Sequence, residues 1–202
     1  EIYNFRELQR ELEKKGYKFL TSSDTEVLLA SYSEWGKDCL SHFNGMFAIA
    51  IYDAIEKVLF LARDRAGEKP LFYHYLNGVL HFSSELKALF LAPTLKKKIE
   101  LESLDCYLAM GFVPGGRCLV QGFNKLPPAH AMQFDLKSGK TKIWRYWKLP
   151  DFHKASLEGI KSEADLLDEL EILLEQSVER QLVADVSVGI LLSGGVDSSL
   201  IT

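Results

Sequence analysis

Near the end of the chain, a short glycine- and serine-rich segment has the residue types that bind phosphate oxygens. The apolar run Val186–Leu192 precedes Ser193–Ser199. This pattern predicts a buried strand, a tight turn and a helix that begins at Asp197 or Ser198. Adjacent glycines let the backbone approach a ligand closely, and the amides at a helix N-terminus attract anions. The serine hydroxyls add further donors, whereas the Gly-Lys-[Ser/Thr] ending of a Walker A loop is absent.

A purely structural interpretation is available for this segment and for the other reactive side chains. Serine and aspartate can simply cap a helix that follows a strand and a turn. The pair Arg63–Asp64 is typical of a buried or turn-fixing ion pair, and Cys39 of an inert, half-buried thiol. The five histidines show no metal-ligand spacing. Three aromatic residues are expected to pack the last predicted hairpin: Trp144, Tyr146 and Trp147.

The composition indicates a globular protein that works in a reducing, aqueous compartment. The hydrophobic fraction is 47% and the net charge is −4, with acids and bases intermixed, so no nucleic-acid-binding surface is indicated. The basic run Lys96–Lys98 is expected to be a solvated loop. No apolar stretch approaches the roughly 20 residues of a membrane span, and no signal peptide is evident. Three cysteines without metal spacing suit the cytoplasm, which is the expected location.

The apolar pattern divides the chain into two parts joined by a polar, irregular linker at residues 149–161. Residues 1–148 combine helical stripes with antiparallel hairpins, which is an α+β pattern. A strong amphipathic helix is expected after Ser162, with a capping box at Asp165, leading into a strand as in a doubly wound α/β domain. Its apolar face is expected to be lined by Leu167, Leu170, Leu174 and Val178.

Within the first part, the spacing predicts five helices and three hairpins. The helices are expected at residues 5–15, 24–35, 37–43, 85–91 and 101–110. The strands are expected at residues 46–52, 58–62, 71–75, 79–82, 132–136 and 141–147. Asn77-Gly78 is the strongest of the hairpin signals. Because the chain starts without methionine and stops just inside a predicted helix, we expect it to be a piece of a longer protein.

Several segments of the first part resemble class II glutamine amidotransferases. The matching segments are residues 1–4 (EIYN), 21–27 (TSSDTEV), 43–48, 62–71 and 82–89. The segment SGGVDSS resembles the PP-loop of enzymes that split ATP between its α and β phosphates. With residues 185–189 before it, the order of motifs resembles the glutamine-hydrolysing asparagine synthetase family over nearly the whole chain.

The resemblance implies an α+β Ntn-hydrolase-type sandwich of antiparallel hairpins with helices, followed by the start of an α/β PP-loop ATP pyrophosphatase domain. Residues 1–148 would be the C-terminal part of a glutaminase domain, and residues 162–202 the start of an ATP-binding domain. Ammonia from glutamine would attack a β-aspartyl-adenylate, giving asparagine, AMP and pyrophosphate. The resemblance thus implies ATP and Mg²⁺ as cofactors, glutamine and aspartate as substrates, and no nucleic-acid or membrane partner; it is compatible with a homodimer.

The resemblance also implies site residues, wherever the sequence matches the family. Glu1 and Asp24 would hold the α-ammonium of glutamine by charge-assisted hydrogen bonds, although Asp24 alone could equally be a helix N-cap. Asp197 would hold Mg²⁺. ATP would bind one continuous segment: Leu192, Ser193, Gly194, Gly195, Val196, Asp197, Ser198 and Ser199.

The chain departs from the family pattern at several points. The N-terminal cysteine nucleophile, the arginine for the glutamine carboxylate and the Asn-Gly oxyanion donors have no counterpart, so no catalytic residue is assigned. The chain by itself is therefore expected not to hydrolyse glutamine. Ala129 stands where the family usually has glycine, and Ser187 where proline is common. Two alternatives stay open: a related amidotransferase for another carboxylate, such as a cell-surface polysaccharide or antibiotic-pathway enzyme, and a non-catalytic remnant.

Overall fold

A computed structural model describes residues 1–151, 162–184 and 186–202. The chain divides into two compact units, Glu1–Lys148 and Leu149–Thr202, and each is described by itself. Most of the linker expected at residues 149–161, and Asp185 of the matching segment 185–189, lie outside the described residues.

Two helices and a 3₁₀ turn open the first unit. Helix α1 (Phe5–Lys14) buries one face, and α2 (Asp24–Trp35) begins after Ser23, whose hydroxyl accepts the Thr25 N–H. Both helices confirm the prediction, because their start and stop signals are local. The third helix, expected at residues 37–43, is instead a 3₁₀ turn at Gly36–Ser41.

The first sheet contains four antiparallel strands in the order β1-β2-β6-β7. Its strands are β1 (Ala48–Asp53), β2 (Val58–Arg63), β6 (His130–Asp135) and β7 (Thr141–Arg145). The predicted hairpins β1–β2 and β6–β7 are confirmed. Strand β1 starts two residues later than expected because Met46 pairs with Glu1 instead, as described below.

The second sheet has the order β4-β3-β5 and is also antiparallel. Its strands are β3 (Phe72–Leu76), β4 (Val79–Ser83) and β5 (Phe123–Lys125). Asn77 and Gly78 both have positive φ, 51° and 78°, as the predicted two-residue hairpin turn requires. Strand β5 was not predicted, since three residues are too few to show a period of two.

A shared hydrophobic cluster joins the two sheets. Leu61 and Met132 come from the first sheet, whereas Leu71 and Leu126 flank β3 and β5 of the second. Two further helices follow β4, α3 (Leu86–Leu89) and α4 (Leu101–Met110), and α4 ends at Gly111 with a left-handed φ of 77°. Two antiparallel sheets packed together and flanked by helices confirm the predicted α+β class of this unit.

The second unit contains two helices, α5 (Glu163–Gln181) and α6 (Val196–Ile201). The predicted capping box is confirmed: Ser162 Oγ accepts the Asp165 N–H and Asp165 Oδ2 accepts the Ser162 N–H, each at 3.2 Å. None of the described side chains of this unit is buried. No helix among the described residues of the whole chain is long and apolar enough to cross a membrane.

Two predictions for the second unit are wrong in detail. The apolar run Val186–Leu192 forms no strand, and Leu191 is 94% exposed. A strand needs a hydrogen-bonded neighbour, and none of the described residues pairs with this run. Helix α6 begins at Val196, one or two residues before the expected start, because Gly195 rather than a polar side chain takes the N-cap position.

Candidate functional site

A cavity of about 390 Å³ lies between the start of the chain, the start of α2, the start of β1 and the segments just before β3 and just after β4. We call it the Glu1–Asp24 cavity. Its chemistry comes from two carboxylates, Glu1 and Asp24, and from one amine, that of Lys69. The remaining wall is made by these residues: Ile2, Thr25, Leu28, Met46, Phe47, Ala48, Ile49, Pro70 and Ser84.

Asp24 is the first residue of α2, and its carboxylate faces the start of the chain. Its Oδ2 accepts the backbone N–H of Ile2 at 3.0 Å. The N-cap is Ser23, so the alternative interpretation of Asp24 as the helix cap is not what the structure shows. The carboxylate lies in the first turn of α2, at the positive end of the helix dipole.

Glu1 is fixed by backbone pairing with the segment that precedes β1. Glu1 N donates to Met46 O at 2.6 Å, and Met46 N donates to Glu1 O at 3.0 Å. Gly45 makes this pairing possible, since a Cβ there would lie 2.2 Å from Glu1 O. A glycine at position 45 is thus required for the close approach of the two backbones.

Three carboxylates act on Tyr3, which stands close to Glu1 in the chain but does not line the cavity. Burial raises the pKa of Tyr3 above its ordinary value, and the nearby carboxylates of Glu68, Glu1 and Asp64 raise this pKa further. The two carboxylates that line the cavity suit an ammonium group. The cavity can therefore bind a small cation, and with Lys69 on its border it can bind a zwitterion.

The pair Arg63–Asp64 is turn-fixing, as one of the two predicted interpretations held, but its partners are backbone groups. Asp64 is 1% exposed and accepts the N–H groups of four residues: Phe47, Gly67, Glu68 and Lys69. Arg63 donates to three carbonyl oxygens: Gly67, Lys69 and Leu126. The sequence signal was an aspartate three residues before a glycine, which is typical of an Asx-type turn.

The glycine–serine segment, Ser193–Ser199, forms the predicted turn and helix start. Gly194 has a φ of 78°. The N-cap position of α6 is occupied by Gly195, which has no side chain to accept a hydrogen bond from the first turn. The alternative in which serine and aspartate cap the helix is therefore not observed. The first amides of α6 have no intrahelical acceptor, so they can bind an anion. Two exposed side chains flank the turn, Leu192 and Val196.

The serine hydroxyls of this segment bind one another and the turn backbone. Ser193 Oγ lies 3.0 Å from Ser198 Oγ, and the Ser198 and Ser199 hydroxyls donate to Gly195 O at 3.0 and 2.9 Å. All the groups expected to bind ATP thus lie together in one continuous segment. The exposed Asp197 carboxylate stands in the first turn of α6.

An apolar groove of about 700 Å³ runs between α5 and α6 in the second unit. Its lining includes the predicted apolar face of α5, which is formed by Leu167, Leu170, Leu174 and Val178. Leu182, Leu200 and Ile201 complete the apolar lining. Three glutamates stand along its border at spacings of four residues, namely Glu171, Glu175 and Glu179. The predicted stripe of α5 is confirmed, although its leucines stay half-exposed.

The remaining candidate side chains are structural. Cys39 is fully buried rather than half-buried, and burial raises the pKa of its thiol to about 12. Tyr146 donates its hydroxyl to Arg63 O at 2.8 Å, and Trp144 packs near Phe60. Among the residues that the structure describes, no group of three histidine, cysteine, aspartate or glutamate side chains could hold a metal ion.

Family models match both parts of the chain. The model described as "Glutamine amidotransferase domain" matches residues 1–147, and the one described as "Asparagine synthase" matches residues 169–202. The chain therefore belongs to the glutamine amidotransferase domain family over its first unit.

Curated relatives show which amidotransferases the chain is similar to. It is 41% identical to asparagine synthetase [glutamine-hydrolyzing] 3 of Bacillus subtilis, over all of this chain and 32% of that protein. It is 36% identical to a putative asparagine synthetase [glutamine-hydrolyzing] 2 of Methanocaldococcus jannaschii, over all of this chain and 38% of that protein. The chain spans about a third of the length of these relatives.

Solved structures support the fold. The B. subtilis glutamine phosphoribosylpyrophosphate amidotransferase, complexed with ADP and GMP, matches with a TM-score of 0.50 and 21% identity. The match covers 72% of this chain and 27% of that one. An allosteric regulatory enzyme of purine biosynthesis matches with a TM-score of 0.51 and 18% identity, over 99% of this chain and 40% of that one. At these identities the likeness concerns the fold alone.

Proposed function

We propose that the chain belongs to an enzyme that makes asparagine from aspartate with nitrogen taken from glutamine. Residues 1–148 are assigned to the glutaminase domain, 149–161 to a linker and 162–202 to the start of the ATP-binding domain. The observation that carries the proposal is that two carboxylates share one cavity in an amidotransferase unit, and that SGGVDSS follows in the same chain. The 41% identity to a glutamine-hydrolysing asparagine synthetase supports it.

In the first unit, the Glu1 and Asp24 carboxylates accept the α-ammonium of glutamine. Charge-assisted hydrogen bonds to two carboxylates fix one end of the substrate. Hydrolysis consumes water and releases glutamate and ammonia. The nucleophile that the resemblance implies, an N-terminal cysteine, has no counterpart in residues 1–202, so the step is assigned to the complete protein.

In the second unit, the first amides of α6 and the serine hydroxyls bind the phosphates of ATP. The Asp197 carboxylate is a hard oxygen ligand, and Mg²⁺ is commonly held by one or two carboxylates together with substrate phosphates, so Asp197 fits that role. When bound, Mg²⁺ neutralises phosphate charge. Leu192 and Val196 offer apolar contact to the nucleotide.

The order of chemical steps follows from the poor reactivity of a carboxylate. Attack of the aspartate side-chain carboxylate on the α-phosphorus of ATP releases pyrophosphate and gives the β-aspartyl-adenylate. Ammonia then attacks the activated carbonyl, AMP leaves, and asparagine forms. The partners of the chain are therefore small molecules, glutamine, aspartate and ATP. We further propose a cytoplasmic location, which the three cysteines without metal spacing suit, and a homodimer, which the resemblance suggests.

The experiment that tests the proposal uses the complete protein and measures AMP and pyrophosphate formation from ATP with glutamine, with and without aspartate. Aspartate-dependent turnover that yields asparagine is the expected result. ATP binding without aspartate dependence would indicate an amidotransferase for another carboxylate. Failure to bind ATP would indicate a non-catalytic protein.

A further inference from the structure

The loop between β2 and β3, residues 64–70, contributes Lys69 and Pro70 to the wall of the Glu1–Asp24 cavity. This loop contains neither helix nor strand. Its backbone N–H and C=O groups therefore lack the partners that regular structure supplies, and buried backbone groups must find others. How these groups are satisfied decides how firmly this wall of the cavity is held.

One buried carboxylate binds the N–H groups of this loop. Asp64 Oδ1 accepts the N–H of Gly67 at 2.6 Å and of Glu68 at 2.9 Å, and Oδ2 accepts the N–H of Lys69 at 3.0 Å. Arg63 binds the carbonyls of the same loop, at 2.5 Å for Gly67 and 2.6 Å for Lys69. The Arg63 and Asp64 side chains thus supply the hydrogen-bond partners that a helix or strand would otherwise give this loop.

The same carboxylate reaches a second wall of the cavity. Asp64 Oδ2 also accepts the N–H of Phe47 at 3.2 Å, and Phe47 O accepts the N–H of Asp64 at 2.9 Å. Phe47 follows Met46, whose backbone pairs with Glu1. Asp64 therefore connects the wall that carries Lys69 to the wall against which Glu1 is fixed.

We propose that Asp64 is a positioning residue for glutamine binding: its two carboxylate oxygens hold the wall at residues 46–49 and the wall at residues 64–70 in the arrangement that the substrate requires. Asp64 does not line the cavity and acts through the backbones it binds. The inference rests on the proposed function, since it assigns the cavity to glutamine.

Both oxygens of Asp64 are used, and this makes the amide substitution informative. An asparagine has one acceptor oxygen, and its NH₂ group would face N–H donors on the other side. Asp135 offers a matched control in the β6–β7 turn, away from the cavity. There a single oxygen, Oδ1, accepts both the Lys137 and the Ser138 N–H, so Asp135→Asn can keep both bonds.

The test uses the complete protein and measures glutamine hydrolysis and, separately, asparagine formation from added ammonium. For Asp64→Asn we expect the KM for glutamine to rise about tenfold, with a smaller change in kcat, because the two N–H groups bound by one carboxylate oxygen lose their acceptor. Ammonium-dependent synthesis and the Asp135→Asn variant should stay at wild-type values. An unchanged KM in Asp64→Asn, or an equal rise in Asp135→Asn, overturns the inference while leaving the proposed function intact. A wild-type protein that does not hydrolyse glutamine overturns both.

If Asp64→Asn does not fold, a second measurement tests whether Asp64 holds the loop at residues 64–70. Amide hydrogen exchange in the wild-type protein should be slow at Gly67, Glu68 and Lys69 despite the absence of regular structure, and slower still with the product glutamate bound. Exchange at the rate of a free peptide, or exchange that glutamate leaves unchanged, overturns the inference.

Discussion

The two units of the chain differ in how far apart in the sequence the parts of each candidate site lie. The Glu1–Asp24 cavity combines residues from five separate segments of the first unit, from Glu1 to Ser84. The glycine–serine segment brings its groups together within seven residues, through contacts such as that between Ser193 and Ser198. The first site therefore depends on the tertiary fold, whereas the second depends on local turn chemistry.

The two units also differ in how deeply their side chains are buried. The core side chains, from Ile2 to Phe134, all belong to the first unit. In the second unit, helix α5 is stabilised locally by its capping box, and its leucines stay half-exposed. We infer that substitutions of the buried residues around the first site act through packing and backbone hydrogen bonds, whereas substitutions at the second site act on ligand binding alone.

The largest effect is expected at the second site. Asp197→Ala should lower ATP-dependent pyrophosphate formation by about 100-fold or more, because it removes the carboxylate proposed to hold Mg²⁺. Glutamine hydrolysis and the melting temperature should stay unchanged, which would show that the second site acts separately from the first. Steady-state assays of both activities in the complete protein check this, with the exposed Asp168→Ala on α5 as control. Equal losses in the two variants would refute the role of Asp197.

A smaller effect on substrate affinity is expected in the cavity. Asp24→Asn should raise the KM for glutamine by about 30-fold, because the substrate ammonium loses a charged acceptor. The asparagine oxygen can still accept the Ile2 N–H, so the fold should persist. Glutaminase kinetics check this, with Asp38→Asn in the 3₁₀ turn as control. A wild-type KM in Asp24→Asn would show that this carboxylate does not bind glutamine.

Acid should destabilise the first unit through His74. This side chain is buried, and its Nδ1 has no hydrogen-bond partner among the residues that the structure describes. Burial and the neighbouring His81 lower the pKa of His74 below 6.5. The unfolded chain then binds the proton more readily, so the stabilisation is present above pH 6.5 and is lost as the pH falls through the folded-state pKa.

Urea unfolding of the first unit across this pH range measures the effect. His74→Phe should weaken the decrease of the free energy of unfolding with falling pH, since phenylalanine does not titrate beside Phe123. His81→Gln, which keeps the buried imidazole, should weaken it less. A wild-type pH dependence in His74→Phe would contradict the assignment.

The smallest effect is expected at Ala129, where the family usually has glycine. Ala129 is 2% exposed and has a φ of 59°, a left-handed conformation that costs an alanine more than a glycine. Ala129→Gly should raise the free energy of unfolding by about 0.5 kcal/mol, the strain relief outweighing the greater entropy of the unfolded glycine chain.

The matched control for this substitution lies two residues away. Ala131→Gly, in the regular strand β6, should lower the free energy of unfolding by about 1 kcal/mol. Thermal melting of both variants checks the pair. A loss of stability in Ala129→Gly equal to that in Ala131→Gly would show that the backbone at Ala129 is not strained.

Local signals predicted most of the secondary structure. Helices α2 and α4 were predicted to the residue, and each ends at a glycine with positive φ, Gly36 and Gly111. The hairpin at Asn77-Gly78 was predicted from its turn alone. The strand expected at Val186–Leu192 depends on a pairing partner, which a local pattern does not supply, and the prediction was wrong.

The two candidate sites were also predictable to different degrees, because one is built from neighbouring residues and the other from distant ones. The glycine–serine segment could be interpreted from its own residues. Glu1 and Asp24 were indicated only by resemblance to a family, since nothing in their sequence neighbourhood brings them together. Asp64 was expected to act in an ion pair or a turn, and only the structure shows that its partners come from two cavity walls.

The transfer of nitrogen from glutamine to asparagine can be tested most directly by isotope labelling. The complete protein would be given ATP, aspartate, glutamine labelled with ¹⁵N at its side-chain amide, and unlabelled ammonium, and the asparagine formed would be analysed by mass spectrometry. We expect ¹⁵N-labelled asparagine from the wild-type protein, and mostly unlabelled asparagine from Asp24→Asn at low glutamine concentration. Asparagine without ¹⁵N from the wild-type protein would contradict the assignment of the Glu1–Asp24 cavity to glutamine.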